Sequence, residues 1–389
     1  MHTKRIEKLQ AMLRHDRYDG VMYADSGNMQ YFLDDPTCHF QRMRSTGYGR
    51  TEAERAHNGH FMKHPDRILF IPAEGEPTLV VVHRRAHEIK HSKVPTVLTH
   101  YAVMADALAP FIRGKQRIAV GESCDAELRH LVAAIDNTIG TPDGERYGER
   151  LRLIKDAAEI EKIRAVAAFT DAAMGRITKA LVPGITPAQV KAIISQIAVE
   201  EGCADISFDP GVIYVRKDDP GAHRLFSCPP DAPLREDTAV GFDYGFIRDG
   251  YCSDYGRSFY CGNDPKVREA YDALMDAQLH LLAQIKPGAP LNMCYDVLYK
   301  RLEGSGWAKH LRKHEYNLQG HQIGINVHER PWLRDDEDEA VFQPGMVFCL
   351  EPKIWWPGRC YLRCEDMVLV TETGCESLTK YDRGHFELG

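Results

Sequence analysis

The sequence has no apolar run of the roughly 20 residues that a membrane-spanning helix needs, and residues 5–15 show helical periodicity where a signal peptide would be apolar throughout. It also lacks an excess of positive charge, because 49 basic and 56 acidic side chains give a net charge of −7. That balance argues against nucleic acid or an anionic membrane as a partner. The 11 cysteines show neither zinc-finger nor redox-motif spacing. We therefore expect a cytoplasmic protein with free thiols.

The length of 389 residues is sufficient for two domains. Mixed strand and helix patterns over residues 1–150 predict a separate α/β domain. A long helix with apolar residues on one face then opens a second domain, which we place at residues 151–389. The polar, Arg- and His-rich stretch at 38–65 is long for a loop without secondary structure, and it is interpreted either as disordered or as a lid over a pocket.

An internal repeat divides the second domain. Pro183-Gly184 and Pro287-Gly288 each precede a helical pattern, and each pattern is followed by a hairpin that contains two acidic residues. A repeated segment of this kind indicates two similar halves. We expect the two halves to face each other and to bring both acidic hairpins to one central cleft.

The two hairpins predict a metal site. The first contains Asp243 and Asp254, and the second contains Glu351 and Glu365. Symmetric pairing about each turn would place the two acids of each hairpin opposite each other, which is unfavourable without a cation. Together with His321, which lies between the hairpins in sequence, these four carboxylates suit two divalent ions that activate one water between them. Unrelated carboxylates facing solvent are the alternative, and the repetition of the pattern after apolar runs counts against it.

Several motifs in this region resemble a known family. They are Asp243-x-Gly, Ser253-Asp254-x-x-Arg257, Gly320-His321-x-Ile-Gly324, His328-Glu329-x-Pro331, Glu351-Pro352 and Arg363-x-Glu365-Asp366. In this order they resemble the pita-bread metallopeptidases, which include Xaa-Pro dipeptidases, Xaa-Pro aminopeptidases and the non-peptidase creatinase. The resemblance is detailed over residues 151–389 and faint over residues 1–150. It implies an α/β (α+β) protein, with a C-terminal pita-bread fold of pseudo-twofold repeats and a smaller creatinase-like α/β N-terminal domain.

The resemblance also implies roles for individual residues. The implied ligands of two divalent ions (Mn, Co, Fe or Zn) are Asp243, Asp254, His321, Glu351 and Glu365. The implied catalytic residues are His223, His328 and Glu351. His223 and His328 would contact substrate, Glu351 would move a proton to the leaving nitrogen, and Arg363 would brace Glu365 or another acid. The expected reaction is hydrolysis of Xaa-Pro bonds in dipeptides or short peptides through a metal-bridging hydroxide, in a homodimer.

Other functions remain open at this point. The same metal site could act on a small non-peptide substrate by amide hydrolysis or elimination. The sulfoniopropionate lyases of the superfamily have an extra acid where this chain has Gly245, which counts against that chemistry. A non-enzymatic binding module is the third alternative, and the retention of all five ligands counts against it. Gln322 stands where the family usually has glycine, and we expect it to add bulk and hydrogen-bonding capacity near the pocket.

Overall fold

A computed structural model describes residues 2–24, 26–34, 65–83, 86, 92–121, 125–217, 219, 223–224, 228–337 and 339–388. The chain divides into two compact units, Met1–Leu153 and Ile154–Gly389. This division falls near the predicted boundary at residue 150, and the assignment of the two parts as independent domains stays a prediction. Apart from its last residue, the stretch at 38–65 lies outside the described residues.

The first unit contains one five-stranded mixed sheet with the strand order β4-β3-β2-β1-β5. Its strands are β1 (Gly20–Tyr23), β2 (Arg67–Pro72), β3 (Thr78–Val82), β4 (Thr96–Thr99) and β5 (Ile118–Gly121). Its helices are α1 (His2–His15), α2 (Gly27–Leu33), α3 (Met104–Ile112), α4 (Asp125–Ile135) and α5 (Glu145–Arg152). Apolar residues of the sheet and of α3 and α4, among them Val80, Leu108 and Leu131, form its core. Both faces of such a mixed sheet need cover, which explains its nearly continuous apolar strands.

The described residues of the second unit include four long helices, arranged as two consecutive pairs. They are α6 (Ala157–Ala180), α7 (Pro187–Glu200), α8 (Pro265–Leu282) and α9 (Met293–Ser305). Helix α6 packs against α7, and α8 packs against α9. Capping side chains begin α6, α7 and α8, because Asp156, Thr186 and Asp264 each accept a hydrogen bond from a backbone N–H of the first turn. No helix in the described part of the chain combines the length and apolarity required to cross a bilayer.

The repeated Pro-Gly segments occupy equivalent places before α7 and α9. Gly184 and Gly288 both have positive φ angles, of 96° and 83°, which explains why glycine stands at both positions. Each helix pair is followed by strands that contain one acidic hairpin. The predicted repeat of helices followed by an acidic hairpin is therefore present in the second unit.

The strands within the described residues of the second unit form three sheets and a hairpin. They are β6 (Asp205–Ile206), β7 (Gly211–Arg216), β8 (Thr238–Asp243), β9 (Phe246–Arg248), β10 (Tyr251–Cys252), β11 (Ser258–Cys261), β12 (Gly320–Gln322), β13 (Glu329–Trp332), β14 (Val347–Leu350), β15 (Lys353–Trp356), β16 (Cys360–Arg363), β17 (Asp366–Val370), β18 (Cys375–Ser377) and β19 (Glu387–Leu388). The sheet orders are β10-β9-β6, β19-β11-β8-β7 and β13-β12-β14-β17-β18, and β15 pairs with β16 in the hairpin. Apolar side chains of α6, α7, β7 and β8 form the adjoining core.

The register of the first acidic hairpin differs from the predicted one. Tyr244 pairs with Tyr255, so the neighbouring positions place Gly256 opposite Asp243 and Gly245 opposite Asp254. The prediction that the two aspartates lie directly opposite each other is wrong. They are diagonal neighbours on one face, each opposed by a glycine, and this arrangement avoids direct opposition of like charges.

The second acidic hairpin has the predicted register. Leu350 pairs with Asp366 on one side of the acids, and Lys353 pairs with Arg363 on the other. Both pairings have the same register, which places Glu351 opposite Glu365. The Glu365 N–H donates to the Gly256 carbonyl oxygen at 2.9 Å, and this bridge joins the two hairpins.

Gly245 provides the first test of this hairpin geometry. A Cβ atom at this position would overlap the backbone oxygen of Ser253, whereas a Cβ atom at Gly304 in α9 would have no neighbour within 4 Å. We expect Gly245→Ala to destabilise the protein by about 1–3 kcal/mol or more through overpacking. Gly304→Ala should stabilise it by about 0.5–1 kcal/mol, because alanine is the better helix former. Urea unfolding of both variants checks this, and equal shifts of the two midpoints would contradict the register.

Candidate metal centre

The five predicted metal ligands lie on strands of the second unit or beside strand ends. Asp243 ends β8, Asp254 follows β10, His321 is the central residue of β12, Glu351 follows β14 and Glu365 precedes β17. Side chains two residues apart on a strand share a face, and paired residues on adjacent strands share one too. The bridge between the hairpins therefore gathers the acids on one face of the joined strands.

The most closely grouped donors are one imidazole, one thiol and two carboxylates. Asp254, His321, Cys349 and Glu365 each have a potential ligand atom within 4.8 Å of the others, and all four residues are buried. The His321 Nε2 atom lies 3.4 Å from the Asp254 Oδ2 atom. The His321 Nδ1 atom lies 3.0 Å from the backbone oxygen of Gln322, which can only accept. Nδ1 is therefore the protonated nitrogen, and the Nε2 lone pair is directed at the carboxylates.

Cys349 was not predicted from the sequence. It pairs with His321 across β12 and β14, and it precedes Glu351 by two residues, so its side chain shares their face. Strand alternation from Glu351 was the signal that could have identified it. Burial, followed by the negative charge of Asp254, raises the pKa of the Cys349 thiol.

Two carboxylate oxygens in this group have no protein partner. Among the described residues, the Asp254 Oδ1 and Glu365 Oε1 atoms are buried and accept no hydrogen bond. Burial is the main cause that raises the pKa of both carboxyl groups, and neighbouring acids add to it. Buried carboxylates without partners are costly unless they coordinate a cation. This donor set, with oxygens left available beside an imidazole, fits a divalent metal ion.

Two basic side chains contact the acids. The Arg363 guanidinium lies 2.8 Å from Glu351 Oε2 and 2.6 Å from Glu365 Oε2, and it also contacts Asp243. Lys353 contacts Glu351. Burial alone would raise the pKa of Glu351, but the positive charges of Lys353 and Arg363 outweigh it and lower that pKa. The expectation that Arg363 braces Glu365 is confirmed.

Gly256 makes room for Arg363. A Cβ atom on Gly256 would lie 2.7 Å from both Cδ and Nε of Arg363. The arginine therefore approaches the acids across the position where any other residue would place its side chain. The glycine in the bridge between the hairpins thus serves both the strand pairing and the arginine contact.

The two predicted substrate-contacting histidines have different locations. The centre of the His328 ring lies 4.3 Å from that of the His321 ring and 5.6 Å from that of Trp332, on which it stacks, and the residue as a whole is exposed. Removal of water from its ring, followed by the effect of His321, lowers the pKa of His328. His223 instead lies against Gly358, in the turn between β15 and β16, where a Cβ atom would be 2.7 Å from His223 Cε1. That turn is at the opposite end of the hairpin from Glu351, and the role of His223 stays a prediction.

A further histidine near the basic side chains was also not predicted. The His314 Nε2 atom is buried and has no hydrogen-bond partner among the described residues. Burial is the main cause that lowers the pKa of His314 to about 4, and the charges of Lys353 and Arg312 add to it. His314 is therefore neutral at pH 7. Its position seven residues before His321 follows no motif used above, so the sequence offered no signal for it.

Gln322 does not face the acids. Strand alternation directs it away from the His321 face, where its side chain accepts from Lys155 at 2.6 Å and donates to the Arg330 backbone oxygen at 3.2 Å. The expectation that Gln322 adds bulk near the pocket is therefore wrong. Instead, the residue joins β12 to the chain at the start of the second unit.

The strand after Glu365 is held by a buried ion-pair network. Asp366 is fully buried and lies 2.6 Å from both Arg257 and Arg383. Arg257 also donates to the Glu365 backbone oxygen at 2.7 Å. Burial opposes ionisation of Asp366, but the two arginines outweigh it and lower the pKa of its carboxyl group. These contacts fix the backbone that presents Glu365 to the other donors.

Comparison with known proteins identifies the class. The model of metallopeptidase family M24 matches residues 161–372. Over 320 residues the chain is 31% identical to an uncharacterised peptidase of Staphylococcus saprophyticus, covering 81% of this chain and 88% of that protein. It is 30% identical over 320 residues to a probable dipeptidase PepE of Mycobacterium tuberculosis, covering 80% and 82%.

Solved structures show the same fold. The Xaa-Pro dipeptidase from Bacillus anthracis matches with a TM-score of 0.82 at 22% identity, over 100% of both chains. The prolidase from Pyrococcus horikoshii matches with a TM-score of 0.80 at 20% identity, over 98% of this chain and 100% of that one. The pita-bread fold and the predicted resemblance are confirmed. The protein is a metallopeptidase, and the chain belongs to metallopeptidase family M24.

Thermal unfolding with and without Mn²⁺ tests the metal centre. Mn²⁺ should raise the unfolding temperature of the chelator-treated protein, with a stabilisation of about 2.7 kcal/mol at 100 times the dissociation constant. Asp254→Asn should abolish this shift. Asp249→Asn, the same change at an exposed turn of the same hairpin, should retain it.

The metal-free variants provide the control for folding. The raised pKa of Asp254 means that its ionisation opposes folding at any pH above the ordinary carboxyl value. Without metal, Asp254→Asn should therefore be at least as stable as the unmodified protein at pH 7. An Mn²⁺ shift that persists in Asp254→Asn would contradict the assigned centre.

Proposed function

We propose that the protein is a dinuclear-metal-dependent hydrolase that cleaves Xaa-Pro bonds of dipeptides or short peptides. The observation that supports a metal-dependent reaction best is the pair of buried, unpartnered oxygens on Asp254 and Glu365, beside the Nε2 atom of His321. Solved structures with the same fold include enzymes named Xaa-Pro dipeptidase and prolidase, and this supports the choice of substrate.

The proposed ligand sets use the carboxylates on the shared face. Asp243, Asp254 and Glu365 would hold one ion, and Asp254, His321, Glu351 and Glu365 would hold the other. Oxygen-rich donors with one imidazole suit Mn²⁺, Co²⁺, Fe²⁺ or Zn²⁺. Bound divalent ions would supply polarisation of the scissile carbonyl group and a water of lowered pKa.

His328 is the proposed donor to the substrate carbonyl oxygen, on which negative charge develops during the reaction. Its ring lies 4.3 Å from that of His321, and its lowered pKa keeps the imidazole neutral at pH 7, with one N–H available to donate. A donor directed at the oxygen of a tetrahedral intermediate contributes about 3–4 kcal/mol to catalysis. We therefore assign His328 to the stabilisation of the carbonyl oxygen of the substrate.

Glu351 is the proposed proton carrier. The charges of Lys353 and Arg363 lower its pKa, so its carboxylate is ionised and can accept a proton from water. The leaving nitrogen of an Xaa-Pro bond is part of the proline ring and needs that proton before it departs. His223 is proposed to hold the far side of the substrate, which requires it to approach from the turn at Gly358.

We also propose a cellular compartment and an oligomeric state for the protein. The cysteines of the described part of the chain are free, which suits the reducing conditions of the cytoplasm. A homodimer is proposed because twofold dimers are the commonest soluble oligomers and because the family resemblance implies one.

A panel of dipeptides tests the proposed reaction. The chelator-treated protein, reloaded with Mn²⁺ or Co²⁺, should release the first amino acid from Xaa-Pro dipeptides and should act more slowly on matched Xaa-Ala dipeptides. The activity should disappear on chelation and return with the metal. Absence of turnover across the panel in a protein shown to bind metal would reject the peptide assignment and would favour a small non-peptide substrate.

His328→Phe tests the assignment of the oxyanion donor, because phenylalanine keeps a ring but has no N–H group. We expect kcat for an Xaa-Pro dipeptide to fall about 10²–10³-fold, because one donor is lost in the transition state. Mn²⁺ binding should be unchanged, because His328 is not among the proposed ligands. His280→Phe, the same change at an exposed histidine of α8, is the matched control and should leave kcat unchanged. Equal effects of the two substitutions would remove His328 from the mechanism.

A further inference from the structure

One side chain beside the proposed ligands is a thiol rather than a carboxylate or an imidazole. Cys349 is fully buried and pairs with His321 across β12 and β14, so the two side chains share a face. Its Sγ atom and one ligand atom each of Asp254, His321 and Glu365 all lie within 4.8 Å of one another. The cysteine is therefore a close neighbour of three proposed ligands.

The thiol makes only a weak contact that metal binding would have to break. Its Sγ atom lies 3.8 Å from the backbone oxygen of Asp254, and a thiol is a weak hydrogen-bond donor. Beside it, Asp254 Oδ1 and Glu365 Oε1 are buried and accept no hydrogen bond from the described residues. A thiol and two available carboxylate oxygens thus lie next to the Nε2 atom of His321.

A buried cysteine commonly serves as a small apolar side chain, and the surroundings of Cys349 do not suit that use. The side chain lies on the face of the acids, among buried carboxylates. An apolar group at this position would offer no compensation for the two unpartnered oxygens, whereas a ligand would complete a cation site around them.

One thiol, one imidazole and two carboxylates form a donor set that suits zinc. Zn²⁺ binds sulfur at about 2.3 Å and nitrogen or oxygen at about 2.0–2.2 Å, with four ligands in tetrahedral geometry. Ligand atoms at these bond lengths lie about 3.3–3.8 Å apart. Separations of up to 4.8 Å therefore close with side-chain shifts of about 1 Å. Thiolate ligands favour Zn²⁺, whereas Mn²⁺ prefers oxygen ligands.

We propose that Cys349 is a thiolate ligand of the ion held by Asp254, His321 and Glu365, and that it directs the centre to a thiophilic divalent ion such as Zn²⁺. Coordination replaces the thiol proton with the ion, and the proton is released to solvent. The ion then has a sulfur ligand in addition to the carboxylates and the imidazole. This inference rests on the proposed metal centre and is independent of the identity of the substrate.

X-ray absorption spectroscopy at the zinc edge tests the proposal. The unmodified protein loaded with Zn²⁺ should show one sulfur neighbour per protein molecule at about 2.3 Å, and Cys349→Ser should lose it. With Co²⁺ bound, the unmodified protein should show a near-ultraviolet charge-transfer band from thiolate to metal, which should disappear in Cys349→Ser. Cys294→Ser, the same change at a buried cysteine of α9, should retain both signals.

Competition with a chelating dye measures the effect on metal choice. Cys349→Ser should weaken Zn²⁺ binding about 10–100-fold or more, because loss of a residue that only supports a ligand already has an effect of that size. Mn²⁺ binding should change less, because Mn²⁺ gains less from sulfur. Equal weakening of the binding of the two ions would contradict the proposed role of the thiolate in metal choice.

Absence of a sulfur neighbour in the unmodified protein with Zn²⁺ bound would overturn the proposal and leave Cys349 as a packed side chain. This measurement needs no variant, so it decides the question even if Cys349→Ser does not fold. A sulfur neighbour that persists in Cys349→Ser would also overturn the assignment. A sulfur neighbour in a protein that cleaves no dipeptide would support the ligand and reject only the proposed substrate, whereas turnover without a sulfur neighbour would reject only the ligand.

Discussion

The surplus of negative charge on one buried face is the constraint on which the rest of the second unit depends. The Gly256–Glu365 bridge joins two hairpins that each contain two acids, and the joined strands direct those acids to a common face. Arg363 and Lys353 offset only part of the charge, and two carboxylate oxygens find no partner in the described part of the chain. A fold that keeps such oxygens buried gains most from a bound cation, because a buried charge without a partner is costly.

The surrounding structure holds this unfavourable arrangement in place. Asp366 and its two arginines anchor the strand that follows Glu365, and Arg257 also donates to the Glu365 backbone. Both oxygens of the supporting Asp366 carboxylate are thus paired by the protein itself, whereas Asp254 and Glu365, which face the centre, each keep one oxygen without a partner among the described residues. This contrast is what distinguishes a ligand site from a structural ion-pair network, since both types of site alter carboxyl pKa values.

Sequence reasoning selected the acids, His321 and His328 as site residues, because these residues lie in short motifs at strand ends. It could not determine the register of the first hairpin, which depends on contacts at Gly245 and Gly256 that only the folded chain has. The contact between Lys353 and Glu351 follows from strand alternation, but its significance depends on burial. The location of His223 depends on a long connection between β7 and β8, where local pattern does not determine the path of the chain.

Anomalous diffraction from crystals grown with Mn²⁺ tests the central claim most directly. The account predicts an anomalous peak on the shared face, within coordination distance of the Asp254, Glu365 and His321 ligand atoms, with Asp254 Oδ1 and Glu365 Oε1 as ligands. A map with no peak among these residues at saturating Mn²⁺, while the carboxylates keep the positions described, would contradict it.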